Sequence, residues 1–176
     1  MKKYIVLLRG INVSGKNKIP MVDLRRLLTA LKFQKVQTYI QSGNIILEAN
    51  LNRNDICDTI KIGIKEKFGF DVPVIAKTIS EWKKAIANYP FAIENEKIVA
   101  FTFLDRTPEI NEIEIKNIGE DQFKIDGDLI YVYCSNGFGK SKINNNIFEK
   151  KLKVTATTRN LRTTLKLLQI AEDEVL

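Results

Sequence analysis

A glycine- and lysine-rich stretch after the first apolar segment has the spacing of a phosphate-binding motif. Residues 10–16, GINVSGK, match the pattern G-x-x-x-x-G-K, which cradles phosphates in P-loop proteins. However, Asn17 stands where that motif needs a serine or threonine, and Pro20 delays the helix that should begin at the lysine. A P-loop also requires a parallel sheet, whereas a hairpin signal further along the chain favours antiparallel strands. The match alone therefore does not predict a nucleotide triphosphatase.

The same stretch offers a broader kind of anion site. Its polar side chains are Arg9, Asn12, Lys16, Asn17 and Lys18. Glycines among them would let backbone N–H groups approach a bound anion. The alternative interpretation is a surface loop in which asparagine and glycine only form turns. Ser42 and Asn44 are further candidates for ligand contact, although Ser-Gly-Asn is also a good hairpin turn without any ligand.

Two later segments are also polar and basic. Residues 135–142, SNGFGKSK, follow a strand and are predicted to begin a helix at Lys140, which makes Lys140 and Ser141 candidate anion contacts. The last helix is predicted from about Thr158, with Arg159 and Asn160 at its positive end. The forked guanidinium of arginine suits phosphate or carboxylate. The alternative for both segments is a solvated basic surface.

The composition removes several kinds of chemistry. The chain has no histidine, which excludes Ser-His-Asp and Cys-His pairs and histidine metal sites, and no metal site is predicted. Cys57 and Cys134 lie in apolar-periodic segments and are expected to be reduced, buried thiols, with a disulfide between them as the alternative. No apolar run approaches the roughly 20 residues that span a bilayer. These features predict a cytoplasmic protein without a membrane partner.

The positive charge is concentrated in two blocks. Residues 1–80 carry a net charge of +8 and residues 129–170 carry +7, on either side of a segment, 81–128, with −5. Both basic blocks contain the glycine- and asparagine-rich segments. This distribution suits a phosphate-bearing partner, although solvated lysines would give the same distribution.

The hydrophobic periodicity predicts the same order of elements twice. The first half follows the order β-α-β-β-α-β, with a hairpin at Ser42 and Gly43 and a helix capped by Asn52 or Asn54. In the second half we predict a helix from Thr107–Pro108 to about Ile118, a hairpin across Asp126-Gly127, a helix over 140–152 and a short strand at 154–156. The predicted fold is α+β, with two ferredoxin-like βαββαβ subdomains related by internal duplication and a C-terminal helix. The subdomains would span 1–77 and 97–176, joined by a linker helix and connection over 78–96.

Three runs of sequence resemble a known family. They are RGINVSGKNKIPM, TYIQSGN, and the C-terminal pattern GKSK…E-x-K-L…T-x-T-T-R-N-x-R-T. Together they resemble a bacterial family of uncharacterised proteins catalogued as domain of unknown function 1697. The resemblance implies a cytosolic α+β protein of two ferredoxin-like subdomains, and implies no activity, cofactor or catalytic residue. The family's signature residues map to Arg9, Gly10, Asn12, Gly15, Lys16, Asn17, Pro20, Tyr39, Ser42, Gly43, Asn44, Ser141, Thr155, Arg159 and Asn160.

These observations support three hypotheses about function. The first is binding of a phosphate-bearing or other anionic small molecule, nucleotide-like, through the basic loops; an enzymatic version would use Lys16 and Lys140 to hold charge and Asp105 or Glu149 as base or metal ligand. The second is nucleic-acid binding, in which Tyr39, Tyr131 and Tyr133 are the strand aromatics that could stack on bases. The third is protein interaction or self-association without catalysis. The sequence determines neither the oligomeric state nor whether the three basic segments converge on one site.

Overall fold

The computed structural model describes residues 1–173, which form two compact units. Of the described residues, 1–84 and 167–173 form the first unit, and 85–166 form the second. Each unit contains one four-stranded sheet in which every pairing is antiparallel. With five α-helices in the described part of the chain, the predicted α+β class is confirmed. The antiparallel sheets also exclude the parallel framework of a P-loop.

In the first unit the strand order is β2-β3-β1-β4, and two helices pack on one face of the sheet. Alternate residues of β1, namely Tyr4, Val6 and Leu8, belong to the hydrophobic cluster beneath those helices. The elements are β1 (Lys2–Leu8), α1 (Met21–Ala30), β2 (Gln34–Tyr39), β3 (Asn44–Ala49), α2 (Arg53–Phe68) and β4 (Val74–Thr78).

The boundaries of these elements follow the predicted capping signals. The Asn52 side chain accepts a hydrogen bond from Asp55 N at 3.0 Å and caps α2, which ends at Gly69 with a left-handed φ of 80°. Helix α3 (Ile79–Ala87) begins with a capping box, in which Thr78 N donates to Glu81 Oε2 and Glu81 N donates to Thr78 Oγ1. Local sequence chemistry therefore sets where these two helices begin.

The second unit has the strand order β6-β7-β5-β8. Its hydrophobic cluster includes Ala100 and Leu104 of β5 and Phe148 of α4. Helix α5 begins in this unit and ends among the residues of the first. The elements are β5 (Val99–Leu104), β6 (Gln122–Asp126), β7 (Leu129–Tyr133), α4 (Asn145–Leu152), β8 (Ala156–Asn160) and α5 (Leu161–Glu172), with a 3-10 turn at Glu96–Ile98.

The helix predicted between β5 and β6 is wrong. Residues 107–118 are irregular, and Ile113 and Ile118 pack against the cluster in which Ile115 is buried. On a helix, Ile113 and Ile115 would point to nearly opposite faces, so an irregular path brings both isoleucines to the core. Asn117, with a left-handed φ of 57°, is also incompatible with a continuing helix.

Four other predicted boundaries in the second unit are shifted. Helix α4 begins at Asn145 instead of Lys140, because the Asn144 side chain caps Ile147 N at 3.0 Å. The final strand covers 156–160, later than the predicted 154–156, so α5 begins at Leu161 instead of Thr158. Threonine suits a strand, which explains this extension. The β6–β7 loop is residues 127–128, one residue later than predicted.

Aromatic side chains from outside the strands cover part of the second sheet. The Tyr89 ring lies 5.5 Å from the Phe101 ring and 5.8 Å from the Tyr131 ring, and Tyr89 OH donates to Val132 O at 2.9 Å. Phe91 adds a contact with Tyr133, with 6.4 Å between ring centroids. Tyr131 is only 2% exposed. It therefore cannot stack on a nucleic-acid base, and the structural argument for single-stranded RNA binding loses one of its three tyrosines.

Candidate functional site

The side chain of Asn12 braces the loop between β1 and α1. Asn12 Nδ2 donates to Ile19 O at 3.0 Å and to Gln41 O at 2.8 Å, while Asn12 Oδ1 accepts from Ile19 N at 2.9 Å. Asn12 therefore closes the loop on itself and attaches it to the β2–β3 hairpin. In the structure the donor and acceptor groups of this side chain hold the loop, and its predicted contact with a ligand stays a prediction.

The composition of this loop reflects its backbone conformation. Asn12 and Asn17 adopt left-handed φ values of 53° and 49°, which asparagine tolerates better than most residues. Asn17 Nδ2 donates to Gly10 O at 3.0 Å, and Asn12 N donates to Asn17 O at 3.1 Å. A short bridge between Val13 and Lys16 closes the tip of the loop. The asparagine side chains thus form the loop's internal hydrogen bonds, whereas Lys16 and Lys18 are exposed to solvent.

A shallow groove of about 460 Å³ lies beside this loop. Lys16 and Lys18 are exposed, and Lys18 lines the groove. Helix α1 begins next to it, and Pro20 at its N-cap supplies no side-chain hydrogen bond to the first turn. The first N–H groups of a helix carry a partial positive charge, which adds to that of the lysine. The lining residues are Asn12, Gly15, Lys18, Ile19, Pro20 and Gln41.

The hairpin beside the groove holds Ser42 and Asn44 in structural contacts. Asn44 is fully buried, and its Nδ2 donates to Tyr39 O at 3.1 Å and to Ser42 Oγ at 2.9 Å. Gly43 accepts from Leu8 N at 2.8 Å, and a β-carbon at this glycine would lie 2.6 Å from Leu8 Cβ. The close approach to β1, together with a φ of 79°, explains why glycine occupies this position.

Ser141 in the second unit contacts an aspartate that the sequence analysis missed. Asp121 is 8% exposed and accepts hydrogen bonds from Ser135 N at 2.8 Å, Ser135 Oγ at 3.0 Å and Ser141 Oγ at 2.6 Å. Ser141 Oγ also accepts from Ile143 N at 2.9 Å. Ser141 therefore fixes the chain before α4. No local motif links Asp121 to a serine 20 residues away, so only the tertiary fold reveals this contact.

Lys140 is exposed, but it does not lie at a helix N-terminus as predicted. It lies in a turn, and α4 begins five residues later behind the side-chain cap of Asn144. The helix N–H groups that were expected to assist Lys140 are therefore not adjacent to it. Asp105 and Glu149 also have structural roles, because they accept hydrogen bonds from Thr155 N at 2.8 Å and Ala156 N at 2.9 Å.

Arg159 is part of strand β8, so its predicted place at the positive end of the last helix is wrong. It pairs with Phe101 across β5 and β8 and is 8% exposed. Its Nη1 donates to Thr157 Oγ1 at 2.8 Å and to Thr158 O at 2.9 Å. Burial lowers the pKa of Arg159 to about 10, so it remains a cation at neutral pH. Asn160 caps α5 by accepting from Thr163 N at 2.9 Å.

Neither of the two cysteines is activated as a nucleophile. Both cysteines are free; Cys134 is buried as expected, while Cys57 is half-buried. Burial raises the pKa of Cys57 to about 11 and also raises the pKa of Cys134, so both thiols are protonated at neutral pH. Within residues 1–173, no group of three or more histidine, cysteine, aspartate or glutamate residues could hold a metal ion.

The structure divides the predicted site residues between the two units. Those in the first unit are Arg9, Asn12, Lys16, Asn17, Ser42 and Asn44, and those in the second are Lys140, Ser141, Arg159 and Asn160. In the first unit, the Asn12–Gln41 hydrogen bond brings the loop of residues 9–19 to the hairpin containing Ser42 and Asn44. Of these predicted residues, Asn12 lines the groove beside this loop, and we take that groove as the candidate site.

The family model described as "Protein of unknown function (DUF1697)" matches residues 1–131, and the chain belongs to this family. Among solved structures, the fold is similar to that of the conserved bacterial protein SP0830 from Streptococcus pneumoniae. The TM-score is 0.72 at 23% sequence identity, with 98% of this chain and 99% of the other covered. No curated protein matches the chain. In the described residues, no helix is both long and apolar enough to cross a membrane.

Proposed function

We propose that this protein binds a phosphate-bearing or other anionic small molecule in the groove beside the loop of residues 9–19. The observation that carries the proposal is the braced loop itself, which holds Lys18 on the wall of the groove. Because Asn12 already fixes the loop at both ends, little ordering would be needed when an anion binds. Preorganised donors lose less entropy on binding than flexible ones.

The electrostatics of the first unit support an anionic ligand. Residues 1–80 carry a net charge of +8, and Lys16 and Lys18 are exposed on a loop with restricted conformations. The start of α1 contributes its partial positive charge at the edge of the same groove. The proposed activity is binding, and we assign no catalytic step.

A thermal-shift titration tests the proposal with inorganic pyrophosphate and nucleotides as probes, at two salt concentrations. A ligand at about 100 times its Kd adds about 2.7 kcal/mol of stability. We expect Lys18→Ala to weaken binding, whereas Lys61→Ala, an exposed lysine on α2, serves as the matched control and should bind normally. Equal binding by both variants, or no shift with any anion, would refute the proposal.

The same titration with short RNA separates the nucleic-acid hypothesis. Polymer binding releases counterions, so its log K falls with log salt concentration with a slope near −0.7 per phosphate contact on single strands. A shift that occurs only with RNA and disappears at high salt would favour that hypothesis over a small ligand. A shift from a small anion that persists at high salt would favour the groove.

We further propose that the two units are duplicated ferredoxin-like βαββαβ units, with subdomains at 1–77 and 97–176. Their support is the shared strand order, since β2-β3-β1-β4 and β6-β7-β5-β8 are the same arrangement. The second unit departs from the pattern where residues 107–118 replace a helix.

Two free cysteines suit a reducing compartment and support the proposed cytoplasmic location.

A further inference from the structure

A pocket in the second unit is lined by the irregular segment after β5 and by helix α4. Its volume is about 520 Å³, within the roughly 300–1,000 Å³ of small-molecule sites. Ile110 and Ile113 line it from the irregular segment, and Ile147 lines it from α4. Ile110 is 50% exposed, Ile113 and Ile147 are half-buried, and the fourth isoleucine of the lining, Ile115, is buried. Three of the four isoleucines therefore leave aliphatic surface accessible to a ligand.

Cationic side chains line the same pocket. Lys116 belongs to the irregular segment, and Lys142 lies just before α4. Lys151 lies on α4, one helical turn after Ile147. All three lysines are exposed, and among residues 1–173 none of them forms an ion pair with a carboxylate. Glu114 also lines the pocket, so three lysines and one glutamate give the described lining a net charge of +2.

The composition of this lining indicates what kind of ligand the pocket suits. Its described residues are all isoleucine, lysine or glutamate. Their side chains offer no aromatic ring for stacking on a base and no hydroxyl or amide for recognition of a sugar. Isoleucine surface favours an aliphatic body, and lysine favours an anionic head. Because both kinds of side chain line one pocket, one amphiphilic molecule can contact both.

We propose that this pocket binds a small amphiphilic anion, which has an aliphatic chain and a carboxylate or phosphate head. The chain lies against Ile110, Ile113 and Ile147, and the head meets the lysines. The pocket shares no lining residue with the groove beside residues 9–19, and it lies in the other unit. This inference therefore does not depend on the function proposed for that groove.

Calorimetric titration of the full chain tests the chain and the head of the ligand separately. The probes are butanoate, octanoate, octyl phosphate and 1-octanol. Each fully buried methylene raises affinity about fourfold. With about half of their surface buried, the four additional methylenes of octanoate should make it bind about 15-fold more tightly than butanoate. 1-Octanol lacks the charge and should bind more weakly than octanoate. The tighter of octanoate and octyl phosphate identifies the head.

Charge variants test the role of the lysines. Lys151→Gln removes a lining cation and should weaken octanoate binding about threefold, as expected for one exposed ion pair. Glu114→Gln removes the lining carboxylate and should strengthen binding by a similar factor. Lys150→Gln is the matched control, because Lys150 is exposed on the same helix and does not line the pocket. Opposite effects of the first two variants cannot result from a general loss of stability.

The variant Ile110→Ser tests the aliphatic contact against a matched position. Ile110 and Ile93 are both 50% exposed and both lie in the second unit, but of the two only Ile110 lines the pocket. Ile110→Ser should reduce the preference for octanoate over butanoate about threefold, and Ile93→Ser should leave it unchanged. Because both side chains are exposed, neither variant should lower Tm appreciably.

Several outcomes would overturn this inference. They are no binding of either soluble amphiphilic anion, equal affinity for butanoate and octanoate, and equal effects of Lys151→Gln and Lys150→Gln. Binding to phosphatidylglycerol vesicles without binding to octanoate or octyl phosphate would assign the pocket to a lipid surface instead. Dimerisation of the ligand-free chain that Ile110→Ser abolishes would assign it to a second copy.

The two proposed sites can also fail separately. Octanoate binding that survives Lys18→Ala, together with pyrophosphate binding that survives Lys151→Gln, would support two independent sites. If octanoate binds with the expected preferences and pyrophosphate does not bind, the function proposed for the groove fails and this inference stands.

Discussion

Replacing Asn12 with alanine tests whether this side chain stabilises the loop. The substitution removes three hydrogen bonds: Nδ2 to Ile19 O at 3.0 Å, Nδ2 to Gln41 O at 2.8 Å, and Ile19 N to Oδ1 at 2.9 Å. It also forces alanine to adopt a φ of 53°, which asparagine tolerates better.

The expected loss follows from these contacts. A typical intramolecular hydrogen bond contributes about 1 kcal/mol net, so three contribute about 3 kcal/mol. Left-handed strain in alanine adds about 1 kcal/mol. The bond to Gln41 is exposed, and water can replace part of it. We therefore expect Asn12→Ala to lower the free energy of unfolding of the first unit by about 3 kcal/mol.

The single tryptophan provides a probe that is specific to this unit. Trp82 is fully buried and lies within residues 1–84, as Asn12 does. Urea titration followed by tryptophan fluorescence should therefore report the unfolding of the unit that carries the substitution. The midpoint should fall in proportion to the lost free energy, with an unchanged slope.

Two variants of the same loop calibrate the result. Lys16→Ala removes an exposed side chain and should change stability by less than about 0.5 kcal/mol. Asn17→Ala removes one side-chain hydrogen bond, to Gly10 O, and should cost roughly 1–2 kcal/mol with its left-handed strain. If the free energy of unfolding of Asn12→Ala instead lies within about 1 kcal/mol of that of the natural chain, Asn12 does not brace the loop.

Three further predictions concern other described contacts. Gly43→Ala should lower the free energy of unfolding by about 3 kcal/mol, because its β-carbon would meet Leu8 Cβ at 2.6 Å at a left-handed φ; a thermal unfolding curve that matches the natural chain would contradict this. Asp121→Asn should cost about 2 kcal/mol in urea unfolding, since the amide cannot accept all three hydrogen bonds, whereas Glu120→Gln at the exposed neighbouring position should be neutral. Burial raises the pKa of Glu81, but hydrogen bonds from Thr78 and the charge of Arg53 outweigh it and lower the pKa below 4.5. The stability that Glu81 contributes is therefore present above pH 4.5 and is lost as the pH falls through the folded-state pKa, so Glu81→Gln should flatten the acid limb of a pH-stability curve.

Much of the fold was predictable because the first unit follows local rules. The Asn52 cap depends on neighbouring residues and was confirmed, and the capping box at Thr78 and Glu81 is equally local. The errors fall where distant contacts override local preference. Ile115 is buried in the core of the second unit, although its segment forms no helix. Arg159 lies in β8, where it pairs with Phe101 of β5.

The candidate site was harder to predict than the fold. An asparagine in a polar loop can form a turn or contact a ligand. The sequence alone does not distinguish these two roles, because the residue type is the same in both. At Asn12 the structure shows the turn-forming role, because its amide hydrogen-bonds to Ile19 and to Gln41 O. Asp121 could not be found from sequence, because its serine partners lie 14 and 20 residues away and no motif connects them.

The path of α5 has a consequence for how the chain folds during synthesis. The first unit is discontinuous: the chain leaves it at Lys84 and returns at Leu167. Residues near the end of α5 complete it, because Lys3 Nζ donates to Ala171 O at 2.6 Å and Lys83 pairs with Glu172 at 2.5 Å. At a synthesis rate of 5–20 residues per second, the intervening segment, residues 85–166, takes roughly 4–16 s to emerge. The first unit is therefore completed only after the second unit has been synthesised. Until then, its strands lack their contacts with the end of α5.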